Sequence, residues 1–460
     1  MLIGFESSLL RLFPKEVSMK NNFALSFLIA VVSAISSFAQ TVTPSPTPTR
    51  PRVIIVGGTA SPSPTPKFTP SPTPSPKVVI VTNNLPTPTP TPLSTPRPTP
   101  TPTPFATPTS TPTTSSTFPS SRYLSLGQIK AKIAEAKRLM QSRPMPIALT
   151  DTFLATDILR VAFYDWKTSQ IDFVVLTKTV FLEKGMEIPT YSTNGKSVTV
   201  RIIRANGVNT PITITDENNQ PQTPLIVQYP IERNGYLAET AFYVSTHPGI
   251  VTPEVINAGK LYIRNTIDIA REKLREKGIF ISPKIADIAE RLATVEHVDH
   301  YRFRTEYHPN IYNDVFTLFA LNEGNTYRYA VSSAGAGGMV QMIPATYRMV
   351  RNRYYNVGLM PDFVEGMRNH VNACQAMLLY MQWTWSDLSS SDTVANALSS
   401  GIATQPELMA AGYNSNPARL PIYLRRGGAG WRSLIPKETK IYLQIYASLE
   451  RNVAMSPRVK

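Results

Sequence analysis

Proline decides how much of this chain can fold. Of its 42 prolines, 23 fall in residues 41–120, nearly all as Thr-Pro or Ser-Pro. Each fixes φ and withholds an N–H donor, so neither a helix nor a sheet ladder can run through the segment. An extended, solvated, disordered spacer in polyproline II conformation is expected over 40–121. Two apolar islands interrupt it, Val53-Ile54-Ile55-Val56 and Val78-Val79-Ile80-Val81, each preceded by a base. They read as remnants of a duplicated repeat, or as strands for docking a cell-wall or envelope protein.

Ahead of the spacer, Met19-Lys20-Asn21-Asn22 opens an apolar run that fades into Ser-Ala-Ile-Ser-Ser-Phe-Ala-Gln. A charged start, a short apolar stretch and small residues at Ser37 and Ala39 fit a secretory leader over 1–39, with Met19 as the expected start. The run is too short and too rich in Ser for a membrane span, which needs about 20 apolar residues. The chain is therefore expected to be exported, to the periplasm, the cell envelope or the cell exterior, with no stable membrane span after cleavage.

The single cysteine, Cys374, rules out a disulfide framework and zinc modules built on several thiols. The net charge of +15 is spread without a dense basic block, so nucleic acid is not an expected partner. About 340 residues remain beyond the spacer, ample for a core. Leu126, Ile129, Ile133, Ala136 and Leu139 keep helical spacing. Strand-rich runs follow at 171–176, 197–203, 211–215 and 237–245, with Asn194-Gly195, Asn206-Gly207 and Asn234-Gly235 as turns. A helix plus a small antiparallel β domain, read as a sandwich, is expected over 122–250 in a binding or spacer role. From Thr252-Pro253 the periodicity is helical, with Gly278 as a stop and Ser282-Pro283 as the next start. The expected class is α+β, with a mostly helical domain over 251–460.

Chemistry concentrates in residues 317–346. A helix from about Asn310 is expected to end at Glu323, followed by Gly324, a Gly-rich loop, and a short apolar helix over 339–343 closed by Pro344. A carboxylate at the negative end of a helix dipole, among apolar neighbours, resists ionisation and suits a general acid. On spacing alone, an exposed helix-end residue is the commoner case.

The segment resembles the catalytic core of lytic transglycosylases related to goose-type lysozyme. In that family a helix-end Glu precedes a Ser by nine residues, then G-A-x-G-L-M-Q-x-x-P-x-T follows. Here Glu323 precedes Ser332 by nine, and Gly335-Ala336-Gly337-Gly338-Met339-Val340-Gln341 follows, with Pro344 and Thr346 in register. Ala411-Gly412-Tyr413-Asn414-Ser415-Asn416-Pro417 is similar to the family's A-x-Y-N-A-G-P, and Pro436-Lys437-Glu438-Thr439-Lys440-Ile441-Tyr442 to its P-x-E-T-x-x-Y. Asn372 and Ala376 sit like its N-I-x-x-G helix. The chain departs at Gly324, where the family has Ser, and at Met339-Val340 and Ser415-Asn416.

The resemblance covers about 310–450. It implies a lysozyme-like helical domain that cleaves the β-1,4 bond between N-acetylmuramic acid and N-acetylglucosamine in peptidoglycan glycan strands. It implies Glu323 as the single acid and base, forming 1,6-anhydro ends, with Ser332, Gln341, Tyr413 and Asn414 lining the glycan cleft. Glu438 would be structural, and a core aromatic is the secondary reading of Tyr413. A hydrolase of the same fold and a non-catalytic peptidoglycan-binding protein stay open as alternatives. No cofactor is expected, and no metal: His297-x-x-His300 and His308 lack the H-E-x-x-H pattern. Trp383, Trp385 and Trp431 suit either sugar stacking or core packing.

Overall fold

Residues 123–143 and 156–459 are described by the computed structural model; the expected leader and spacer lie outside them. Helix α1 (Leu126–Ser142) starts where its residues dictate. The Ser125 hydroxyl accepts from the Gln128 N–H, and the Gln128 side chain accepts from the Ser125 N–H. That reciprocal cap satisfies two donors that a helix start leaves without partners. Arg160 finishes the other end, donating to the carbonyls of Met140 and Arg143.

Seven strands follow: β1 (Ile158–Asp165), β2 (Gln170–Thr177), β3 (Glu187–Tyr191), β4 (Ser197–Ile202), β5 (Ile212–Asp216), β6 (Pro221–Arg233) and β7 (Tyr236–Tyr243). A single turn of helix, α2 (Lys178–Phe181), separates β2 from β3. All pairings are antiparallel, in the order β2-β1-β6-β5-β4-β3, with β7 also on β6. The 13-residue β6 is the hub. Because it pairs with β5, β1 and β7 in turn, the strands form one curled sheet and not the two packed sheets of a sandwich. The register slips between Ala162 and Phe163, whose partners are Ile226 and Pro224. Pro224 has no N–H to give the ladder, and a bulge is where a sheet tolerates that. Asn234-Gly235 turns β6 into β7 with both residues at positive φ, the pair a tight hairpin requires.

Every residue of β1 is buried. Leu159, Val161 and Phe163 pack inside the curl against Val200, Ile214 and Val227. Ala162 and Tyr164 face the other way, into a core with Ile129 and Met140 of α1 and with Val255 and Ala320. Those last two residues belong to the helical part, so the boundary expected at 250/251 marks a change of secondary structure, not a gap in packing. The described residues belong to one compact unit, which is α+β.

The helical part runs α3 (Pro253–Arg275), α4 (Pro283–Val295), α5 (His300–Thr305), α6 (His308–Asn322), α7 (Pro344–Arg353), α8 (Phe363–Arg368), α9 (His370–Ser389), α10 (Asp392–Ser399), α11 (Gln405–Asn414), α12 (Leu420–Gly427) and α13 (Lys437–Asn452). Thr252 and Ser282 cap α3 and α4 through their hydroxyls, each followed by proline, as their sequences indicate. Gly259 of α3 lies so close to α6 that a Cβ there would sit 1.9 Å from the Phe316 carbonyl oxygen. Near the far end of the chain, buried Arg458 reaches back to Asp268 of α3 and to Asp287 and Glu290 of α4. The apolar helix expected over 339–343 is absent. Gly337 bridges both Val331 and Met342, so the segment is a tight turn, and Pro344 opens α7 where a first-turn proline costs no hydrogen bond.

Candidate active site

Helix α4 delivers a carboxylate to the centre of the molecule. Its buried face, including Ile285, Ala289 and Leu292, fixes it in the core, and Glu296 caps its C-terminus. Glu296 keeps only a partial opening and lines two cavities of about 660 and 560 Å³. Tyr442 of α13 donates a hydrogen bond of 2.6 Å to Glu296 Oε1. No lysine or arginine among the described residues pairs with this carboxylate. Burial pushes its pKa up to about 8; the Tyr442 bond works in the opposite direction, and the charge on Glu438 adds to the rise. Burial therefore favours the protonated form of Glu296, the form a general acid needs.

Ser332 and Gln341 line both cavities with Glu296. The Ser332 hydroxyl accepts from the Ala336 N–H, tying off the Gly-rich loop. Gln341 sits at φ +45°, a conformation that non-glycine residues adopt at a cost, and its side-chain amide donates to the Gly338 carbonyl. Gly338 has no room for a side chain, since a Cβ would meet the Met367 carbonyl oxygen at 2.3 Å. Tyr413 and Asn414 come from the last turn of α11 and line the smaller cavity. The Tyr413 hydroxyl donates to the Val340 carbonyl, and Asn414 Oδ1 accepts from the Thr439 hydroxyl. Tyr413 is both core and cleft: its ring packs edge-on against Tyr380 while it lines the cavity.

Four of the five residues singled out in the sequence thus meet around one cleft. Glu323 does not join them. The side chain of Asn322 accepts from the Val244 N–H and donates to the Val244 carbonyl, pinning the end of α6 to the sheet. The chain then turns at Glu323 with φ +48° and sends its side chain outward. There the carboxylate is 57% exposed and 2.6 Å from Lys130 Nζ of α1. An exposed carboxylate beside a lysine is the reverse of the apolar setting expected for it, and Glu323 lines neither cavity. Comparison with known proteins adds nothing to this picture: no family model, curated protein or solved structure matches the chain.

The residue the sequence reading passed over is Glu296. Its signal was present, as a carboxylate closing a well-capped amphipathic helix, just before the histidines weighed as metal ligands. Two of those histidines, His297 and His308, have other partners. His297 stacks on Tyr327 with ring centroids 3.3 Å apart, its Nε2 2.8 Å from the Met339 carbonyl oxygen, and burial drops its pKa to about 3. His308 bonds Ser448 and the Phe303 carbonyl. Glu438, expected to be structural, lines the smaller cavity. Trp431 is fully buried, and Cys374 is buried with its thiol pushed up to about 12.

Proposed function

We propose that this protein cleaves the β-1,4 bond between N-acetylmuramic acid and N-acetylglucosamine in peptidoglycan, as lytic transglycosylases do, with Glu296 in the role of acid and base. The observation that carries this reading is a carboxylate at a helix end, bordered in one cavity by Ser332, Gln341, Tyr413 and Asn414. Those four residues are the ones the motif resemblance assigns to the glycan. The expected leader would bring the protein to the envelope, where that polymer lies. Among the described residues no helix is long and apolar enough to cross a membrane.

In the proposed reaction, the Glu296 carboxyl gives its proton to the glycosidic oxygen as the C–O bond breaks and its electron pair moves to that oxygen. The acetamido carbonyl oxygen of the substrate attacks the anomeric carbon. The Glu296 carboxylate then removes the proton from the sugar's 6-hydroxyl. That oxygen displaces the acetamido oxygen and closes a 1,6-anhydro ring, and Glu296 regains its proton. The Tyr442 bond holds one carboxyl oxygen, so the other is the one available to substrate.

Glu438 favours a second reading. It lines the same cavity and raises the pKa of Glu296, so two carboxylates flank one site, the arrangement by which glycosidases activate water. Digestion of purified sacculi followed by mass analysis of the new ends decides between them. Anhydro ends support the transglycosylase reading, reducing ends one water heavier support hydrolysis, and intact sacculi defeat both.

A further inference from the structure

The larger cavity shares Glu296 with the smaller one but is not lined by Tyr413 or Asn414, and the sheet builds part of its wall. Asn206, Val208 and Asn209 come from the turn between β4 and β5, and Tyr229 and Ile231 from β6. Its volume of about 660 Å³ is within the ~300–1,000 Å³ of small-molecule sites, and it joins apolar ring faces to amide groups, the mixture a sugar presents in return. The sheet also sets the arm that carries Ser332. The Tyr327 N–H donates to the Tyr243 hydroxyl, and the Tyr329 hydroxyl donates to Glu239 of β7. Arg328 and Arg368 reach the same Glu239 carboxylate.

Glu296, Ser332 and Gln341 line both cavities, so the two spaces meet at the acid. A polymer cut at an internal bond has units on both sides of that bond. We infer that the sheet-walled cavity is a second glycan subsite, which takes N-acetylhexosamine units on one side of the scissile bond. The sheet is then half of the binding channel and not a spacer. This inference rests on the proposed function for its ligand class, but it concerns binding, and binding can be measured without cleavage.

The test uses the full chain carrying Glu296→Gln, titrated calorimetrically with oligomers of β-1,4-linked N-acetylglucosamine from disaccharide to hexasaccharide. Affinity is expected to rise with length as units enter the second cavity. Adding Val208→Trp, which fills that cavity, should remove the rise and lower hexasaccharide affinity by about tenfold. Should Val208→Trp fail to fold, Asn206→Trp at an exposed position replaces it. Affinity independent of length, or a length dependence untouched by either plug, would overturn the subsite. Length-dependent, plug-sensitive binding together with intact sacculi would instead sink the cleavage reading and leave the subsite standing.

Discussion

The Tyr442 hydroxyl donates to Glu296 across 146 residues of chain, joining the start of α13 to the end of α4. This bond favours the ionised carboxylate, against the burial that opposes it. It fixes which carboxyl oxygen is held by the protein and which is left without that bond. Tyr442→Phe removes that support for the anion, so the pKa of Glu296 should rise further. A pH–rate profile on solubilised glycan should show the alkaline fall in activity moving to higher pH. An unmoved limb would mean that another group governs it.

Two carboxylates are candidates for the acid of the proposed reaction, and substitution tells them apart. Glu296→Gln is expected to lower clearance of peptidoglycan by at least about 10²–10⁴-fold, the usual range for acid–base assistance. Glu323→Gln, away from both cavities, should clear it at close to the parent rate. The reverse result would return the acid role to Glu323.

Stability should carry the same signature. The pKa of Glu296 is raised from 4.5 to about 8, so the fold retains a proton that the unfolded chain releases. Stability from this source is intact below the unfolded value, declines as pH rises and is lost once pH passes the folded value. Glu296→Gln lacks the titration. Its melting temperature should therefore fall less than the parent's between about pH 5 and pH 9, with the variant melting higher at the alkaline end. Parallel curves would mean that Glu296 ionises normally.

Backbone strain at the end of α6 sits on Glu323 and not on Gly324, whose nearest neighbour for an added Cβ is the Tyr262 hydroxyl at 3.9 Å. Gly324→Ser should be tolerated, with melting close to the parent's. Glu323→Gly should stabilise the fold by about 1 kcal/mol through relief of its positive φ. The exposed Lys130 pair it gives up contributes little. A large loss of stability in Glu323→Gly would show that the ion pair outweighs the strain.

Gly259→Ala tests the α3–α6 contact. A Cβ at 1.9 Å from a backbone oxygen can be accommodated only by moving one helix. Overpacking of this kind costs about 3 kcal/mol, readable in denaturant unfolding. A variant as stable as the parent would mean that the helices separate freely.

Much of this was legible locally. The caps at Ser282 and Thr252 and the turn at Asn234-Gly235 depend on neighbours in the chain. So does the Gly-rich loop that carries Ser332 and Gln341. Strand β6 was hidden by its own prolines, Pro221, Pro224 and Pro230, which read as strand breakers; it persists through its partners on both sides. Glu296 was hidden for a different reason. Burial, Tyr442 and Glu438 set its proton affinity, and only folding brings them to α4. The nine-residue spacing to Ser332 selected Glu323 instead, but spacing says nothing of the solvent and the lysine that surround it.

Arg458 gives the tail of the chain a hold on the acid. It binds Asp287 and Glu290 on the helix whose other end is Glu296, and burial raises the pKa of Glu290 even with Arg458 beside it. Trimming the chain back past Arg458 would leave buried Glu290 on α4 with only the more distant Arg264, at 3.4 Å. A cut before Arg458 would thus act on the helix that carries Glu296 from a residue that lines neither cavity.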